Sequence, residues 1–199
     1  ASQATPRNLM GFKDGTNNIK ADDAASMQQF VWAGDEGPAW MRGGSYMVAR
    51  RINIRLEAWD RDSLGDQETR VGRQKMTGAP LGAVHETDAV DLDAQQDGAP
   101  VIPPQSHIRI ASHATNDAAR ILRRGYSFLD GLDANGESDA GLFFICYQRD
   151  PRKQFVPIQS RLADQDALNL YLIHTGSAVF ACPRGAEERD WVGRALFGG

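Results

Sequence analysis

Along residues 44–58, apolar and polar side chains alternate. Tyr46, Val48, Ile52, Ile54, Leu56 and Ala58 take the even positions, and Met47, Arg51, Asn53, Arg55 and Glu57 the odd ones. A period of two predicts a long, half-buried strand. Arg50 interrupts its apolar face and needs a partner there. Upstream, residues 8–44 hold Gly, Asp and scattered aromatics without a helical stripe, and they read as mostly ordered loop. Downstream, Leu64, Val71 and Met76 mark a weak stripe that predicts a short helix within 61–76. Residues 77–105 have no period and read as a long loop. Residues 107–111 open strand-like. Asn116-Asp117 signals a cap for a helical turn over 116–124, 126–128 is a strand fragment, Asp133 to Gly136 a turn, and 141–148 a buried strand.

Further on, Asp150-Pro151 starts a helix with Pro at the first helical position, striped by Phe155, Ile158 and Leu162. A second helix is expected over 166–174, ended by Gly176. Residues 177–182 form a strand and 187–196 a closing helix. Strands and helices in that order predict an α+β fold, an antiparallel sheet with helices on one face.

Composition narrows the class. The 199 residues are 41% hydrophobic and 24% charged, which suits a globular domain and excludes a disordered tail or a disulfide-stapled miniprotein. A net charge of −4 gives no field for nucleic acid, and no apolar run is long enough to span a bilayer. Cys146 and Cys182 sit in apolar runs and read as buried free thiols. The first seven residues lack an initiator Met, an apolar core and a twin Arg, so the chain is expected to be a processed or truncated product, with a targeting signal and a further domain upstream.

Chemistry is harder to find. HExxH, GxSxG, Walker and GxGxxG patterns are absent. His85 reads as solvated, His174 as a helix-end charge, and His113 as a loop residue. His107, after Pro103-Pro104-Gln105-Ser106, is open to a structural or a ligand role. Gly11-Phe12-Lys13-Asp14-Gly15-Thr16 reads as a turn holding an acid, and Arg123-Arg124-Gly125 as a double Arg leading into a strand. The tryptophans Trp32, Trp40, Trp59 and Trp191 and Tyr126 read as packing residues.

Taken together these segments resemble one family. Gly-Phe-Lys-Asp-Gly-Thr resembles the GxxDG motif of dye-decolorising peroxidases. The run around His107, Ser-His-Ile-Arg-Ile-Ala, is similar to the segment with that family's proximal haem histidine. Ile-Leu-Arg-Arg-Gly-Tyr-Ser-Phe, sixteen residues on, is similar to the one with its distal arginine. The runs from Gly141 and Phe155 resemble the strand and helix that follow. The order is kept over nearly the whole chain, closest to the Tat-exported, deferrochelatase-like branch.

The resemblance implies the second of the two ferredoxin-like domains of a dimeric α+β barrel-type haem peroxidase. Residues 1–44 would be a loop region lining the haem, residues 45–199 the haem-binding domain, and an N-terminal domain a missing partner. It implies haem b, with His107 as the axial iron ligand, Asp14 as the acid–base group and Arg123 as the distal cation, Arg124 remaining the alternative. Gly15, Thr16 and Asn17 would line the haem beside Asp14. Ser112, His113 and Ala114 occupy the propionate-side loop, where the related branch often has Asn-Pro-Arg, and Arg109 is a further propionate candidate. Asp139 is one candidate among many acids for the second nitrogen of His107. The implied activity reduces hydrogen peroxide and oxidises dyes or phenols through a high-valent iron intermediate. Its rivals are a deferrochelatase that frees iron with the porphyrin intact and a non-enzymatic ferredoxin-like binding module. The implied partners are peroxide and an organic reductant, with homo-oligomer formation left open and neither nucleic acid nor a membrane span expected. Location would be exported.

Overall fold

The computed structural model describes residues 5–197; the ends of the two expected spans, residues 1–4 and 198–199, lie outside the described residues. In chain order the elements are α1 (Ala24–Phe30), β1 (Ser45–Ile54), α2 (Leu56–Trp59), α3 (Leu64–Val71), β2 (Gln95–Gln96), β3 (Ala99–Pro100), α4 (His107–Ile110), β4 (Leu122–Arg123), β5 (Tyr126–Leu132), β6 (Ser138–Gln148), α5 (Phe155–Gln165) and β7 (Leu172–Cys182). An antiparallel sheet runs β6–β1–β7, with β4 and β5 both pairing the outer side of β6. This is the expected α+β architecture.

Register decides which side chains share a face. Val48 stands opposite Cys146 and Val179, Arg50 opposite Phe144 and Ser177, and Arg123 opposite Cys146. Direct cross-strand partners point the same way, so Val48, Arg50, Arg123, Phe144 and Cys146 lie on one face. α5 covers part of it, Phe155 packing 6.3 Å from Phe144 between ring centroids. The outer strands are bare on both sides: Leu129, Leu132, Val179 and Phe180 are exposed.

Several local expectations change. β1 stops at Ile54, and the alternation over 56–58 belongs to α2, whose Trp59 is buried. Residues 8–44 hold α1, capped by Asp23, which accepts from Ser26 N. Residues 107–110 form a helical turn rather than a strand, and 116–124 give a turn and β4. Pro151 lies in a turn before α5, which begins at Phe155. Residues 167–170 form a 3₁₀ turn, after which β7 runs straight through Gly176 at a register shift opposite Arg51, so His174 sits opposite Ile52 in the sheet and caps nothing. At the C-terminal end, a single 3₁₀ turn at Arg194–Phe197 replaces the helix expected over 187–196.

One core cluster connects the fold to the loop bearing Asp14. Trp59 has no exposed surface; its ring meets Phe12 and Tyr171 edge-on at 6.0 and 5.0 Å, and its Nε1 donates to Met10 O at 3.1 Å. Trp59→Ala is expected to cost about 3–5 kcal/mol in urea unfolding, because a cavity opens and the Met10 carbonyl loses its donor. A loss below about 1 kcal/mol would show that the cluster does not anchor the loop.

Candidate active site

His107 opens α4, and the end of α3 sets the position of that turn. Gly72 ends α3 with φ +88°, and a Cβ there would come within 2.6 Å of the Ile108 side chain. Only glycine combines that left-handed turn with so close an approach. Ser106 Oγ donates to Thr69 O at 2.9 Å and ties the start of the turn to α3.

The His107 ring meets Asp166, which follows α5. Nδ1 lies 2.6 Å from Asp166 Oδ2, and the Asp166 side chain is 3% exposed against 31% for the imidazole. Asp166 Oδ1 accepts from Leu168 N at 2.9 Å, so a 3₁₀ turn holds the carboxylate. A buried carboxylate on Nδ1 selects the tautomer with its proton there and leaves Nε2 as a lone-pair donor. Asp139 is not the partner: it takes hydrogen bonds from Arg51 and Asn53 on the opposite face of the sheet.

Asp14 and Arg123, 109 residues apart, are brought together, with Arg123 Nη1 3.4 Å from Asp14 Oδ1. Arg124, the alternative cation, is exposed. Asn18 makes the junction. Its amide donates to Arg123 O at 2.7 Å and accepts from Arg123 N at 3.0 Å, so one side chain binds β4 as a neighbouring strand would. Gly15 at φ +118° and Asn17 at φ +58° turn the chain between Asp14 and that clamp.

Glu86, from the long loop, brackets the same segment. It accepts from Thr5 Oγ1 at 2.5 Å and Thr16 Oγ1 at 2.9 Å and pairs with Lys13 Nζ at 2.5 Å, while the buried Arg73 donates to its backbone carbonyl at 3.2 Å. The Lys13 ammonium and the two hydroxyls draw its carboxyl from an ordinary 4.5 down to about 2. A depressed carboxyl stabilises the fold fully above pH 4.5 and loses that contribution as pH falls toward 2. The stability gap between the wild type and Glu86→Gln is therefore expected to narrow from pH 5 to pH 3 in urea titrations, and a constant gap would contradict this bracket. Nothing in the spacing of the sequence marked Glu86, Asn18 or Asp166, because each acts across a long separation.

The remaining expected residues follow His107. Arg109 donates to Ile102 O and to Leu92 O, the latter at 2.5 Å, and so braces the long loop against α4. Ser112 accepts from Ala114 N at 3.2 Å in the next turn, where His113 and Ala114 are exposed. Cys146 is buried, its thiol pushed up to about 12 by desolvation, and Cys182 is partly buried; both are free thiols.

An imidazole fixed by a carboxylate and a carboxylate facing a guanidinium suit ligand binding and proton transfer. The model of the family described as Dyp-type peroxidase, C-terminal, matches residues 5–187. This chain belongs to the Dyp-type peroxidases. A dye-decolorizing peroxidase of Thermobifida fusca is 46% identical over 98% of this chain and 46% of its own length. A deferrochelatase of Escherichia coli O6:K15:H31 is 45% identical over 96% of this chain and 46% of its own. The structure of ferric DtpA from Streptomyces lividans superposes with a TM-score of 0.94 at 42% identity, covering all of this chain and 54% of that one. The chain spans about half the length of these Dyp-type relatives. Among the described residues no helix is long and apolar enough to cross a membrane.

Proposed function

We propose that this chain is the haem-binding part of a peroxidase that reduces hydrogen peroxide and oxidises an organic reductant, a dye or a phenol. The observation that carries this is the Asp14–Arg123 pair in the same chain as an imidazole held by a buried carboxylate. The donor set fits haem b. A neutral imidazole is a good iron ligand, the Asp166 hydrogen bond raises its donor strength, and one imidazole suffices where a porphyrin fills the equatorial positions. When bound, the haem supplies the redox chemistry, passing oxidising equivalents from peroxide to the reductant.

The protein groups then have separate tasks. His107 holds the iron and Asp166 orients His107. Asp14 takes a proton from one oxygen of hydrogen peroxide and returns it to the other, which leaves as water. Arg123 faces the negative charge that develops as the O–O bond breaks. Gly15, Thr16 and Asn17 line this side by position. Ser112, His113 and Ala114 border the other side beside His107, where Arg109 keeps the loop in place. The bare strands β5 and β7 suit cover by an N-terminal domain, and the branch resemblance supports export.

A second use of the same pocket, release of iron from intact haem, is favoured by the similarity to a deferrochelatase. An absorption spectrum before and after one equivalent of hydrogen peroxide tests the main proposal: a Soret band that shifts on peroxide is expected, and a bound haem indifferent to peroxide would overturn it. Mass spectrometry of the tetrapyrrole after turnover separates the two, metal-free porphyrin marking the second.

A further inference from the structure

Arg50 stands where the alternation of β1 calls for an apolar side chain, between Val48 and Ile52, which are 0% and 8% exposed. Its Nε and Nη1 are both buried and have no hydrogen-bond partner. The neighbouring residue shows the contrast. Arg51, on the opposite face, meets two carboxylates, Asp130 and Asp139, each at 2.9 Å. Around Arg50 the described residues supply no carboxylate. Its neighbours are the Phe155 ring, 5.8 Å from the guanidinium carbon, Phe144 and Ser177 across the strands, Cys146, whose thiol is held neutral by burial, and His174, whose imidazole burial and the Arg50 charge push toward the neutral form. A half-buried guanidinium with two enclosed N–H groups and no counterion is unfavourable and gains from an anion brought by a ligand.

Its position says which ligand. Arg50 shares a face with Arg123: Arg123 stands opposite Cys146, Cys146 opposite Val48, and Arg50 lies two residues along the strand. Two strand spacings and two residues of rise separate the Cα atoms of the two arginines by about 12 Å. That distance suits one group over the centre of a porphyrin and another at its carboxylate-bearing edge. The planar guanidinium matches a carboxylate through two parallel hydrogen bonds. Resting on the haem assignment above, we propose that Arg50 binds a propionate carboxylate of the tetrapyrrole.

The test uses the chain free of haem, titrated with ferric protohaem and with its dimethyl ester, whose propionates carry no charge, and followed by the Soret band. The wild type is expected to bind protohaem about ten- to a hundredfold more tightly than the ester, the range for hydrogen bonds to charged groups. Arg50→Leu should bind both alike, near the wild-type affinity for the ester, with Arg50→Lys between. Without haem, Arg50→Leu should melt no lower than the wild type, since it removes a half-buried charge with two unpartnered N–H groups; this separates lost recognition from lost folding. A folded Arg50→Leu that keeps the preference for protohaem would overturn the proposal. Wild-type binding of neither tetrapyrrole would overturn the haem assignment and this inference with it. Weaker turnover of a carboxylated reductant in Arg50→Leu, with haem binding unchanged, would assign Arg50 to a substrate carboxylate instead and refute the propionate.

Discussion

His107→Ala is expected to abolish axial ligation and reduce haem retention by more than a hundredfold. The imidazole is the iron ligand proposed here, and its other nitrogen is already committed to Asp166 at 2.6 Å. Asp166→Asn keeps the ring but weakens the acceptor on Nδ1. Its cost should be smaller, about ten- to a hundredfold in affinity, the range for residues that orient a metal-bound histidine. Haem titration with absorption and electron paramagnetic resonance spectra measures both. The graded order His107→Ala, then Asp166→Asn, then the wild type follows from a ligand and its support. Added imidazole should restore the ligand-field spectrum of His107→Ala and leave Asp166→Asn unchanged. His85→Ala serves as a control, since its side chain is exposed and does not meet Asp166. If His107→Ala binds haem with a wild-type spectrum, the axial assignment is wrong.

The parts of this site that sequence reveals and conceals differ in range. The alternation of β1 is written in its own residues, and so is the stripe of α5, because burial on one face repeats with the backbone. At residues 107–110 the pattern is too short to separate a strand from a turn. Ile108 and Ile110 alternate as in a strand, yet in the fold they lie in a helical turn that packs Ile108 against Gly72, where a Cβ would come within 2.6 Å. Gly176 reads as a helix stop because glycine usually ends helices, whereas in β7 it sits at a register shift, where a missing side chain is also tolerated. The motifs containing Asp14, His107 and Arg123 were legible by family resemblance. Their supports were not: Asp166 is 59 residues from His107, and Asn18 is 105 from Arg123. Such partners are chosen by the folded sheet, and many acids and amides compete for the role on paper. Arg50 was visible as a charge in an apolar row, and the structure adds that the described residues supply it with no anion.

Asp14→Asn is expected to slow the reaction with hydrogen peroxide by about 10²- to 10⁴-fold, the usual contribution of a positioned proton-transfer group. The amide has the shape of the carboxylate and can still accept from Arg123, so haem binding and the resting spectrum should stay near wild type. It cannot accept the peroxide proton. Stopped-flow mixing with peroxide isolates this step from oxidation of the reductant, which should be unaffected once oxidising equivalents are loaded. Arg123→Leu removes the facing cation instead, for an expected loss of about 10²- to 10³-fold. The two groups are 3.4 Å apart and in the proposed mechanism would both meet the same peroxide, so their effects should not add. The double variant should lose little more than Asp14→Asn alone, because a cation placed for a charge that no longer forms contributes little. Full additivity would mean that the two act at different steps. A peroxide rate within a few-fold of wild type in Asp14→Asn would remove the carboxylate from the mechanism and leave the cation as the chain's main contribution to O–O cleavage.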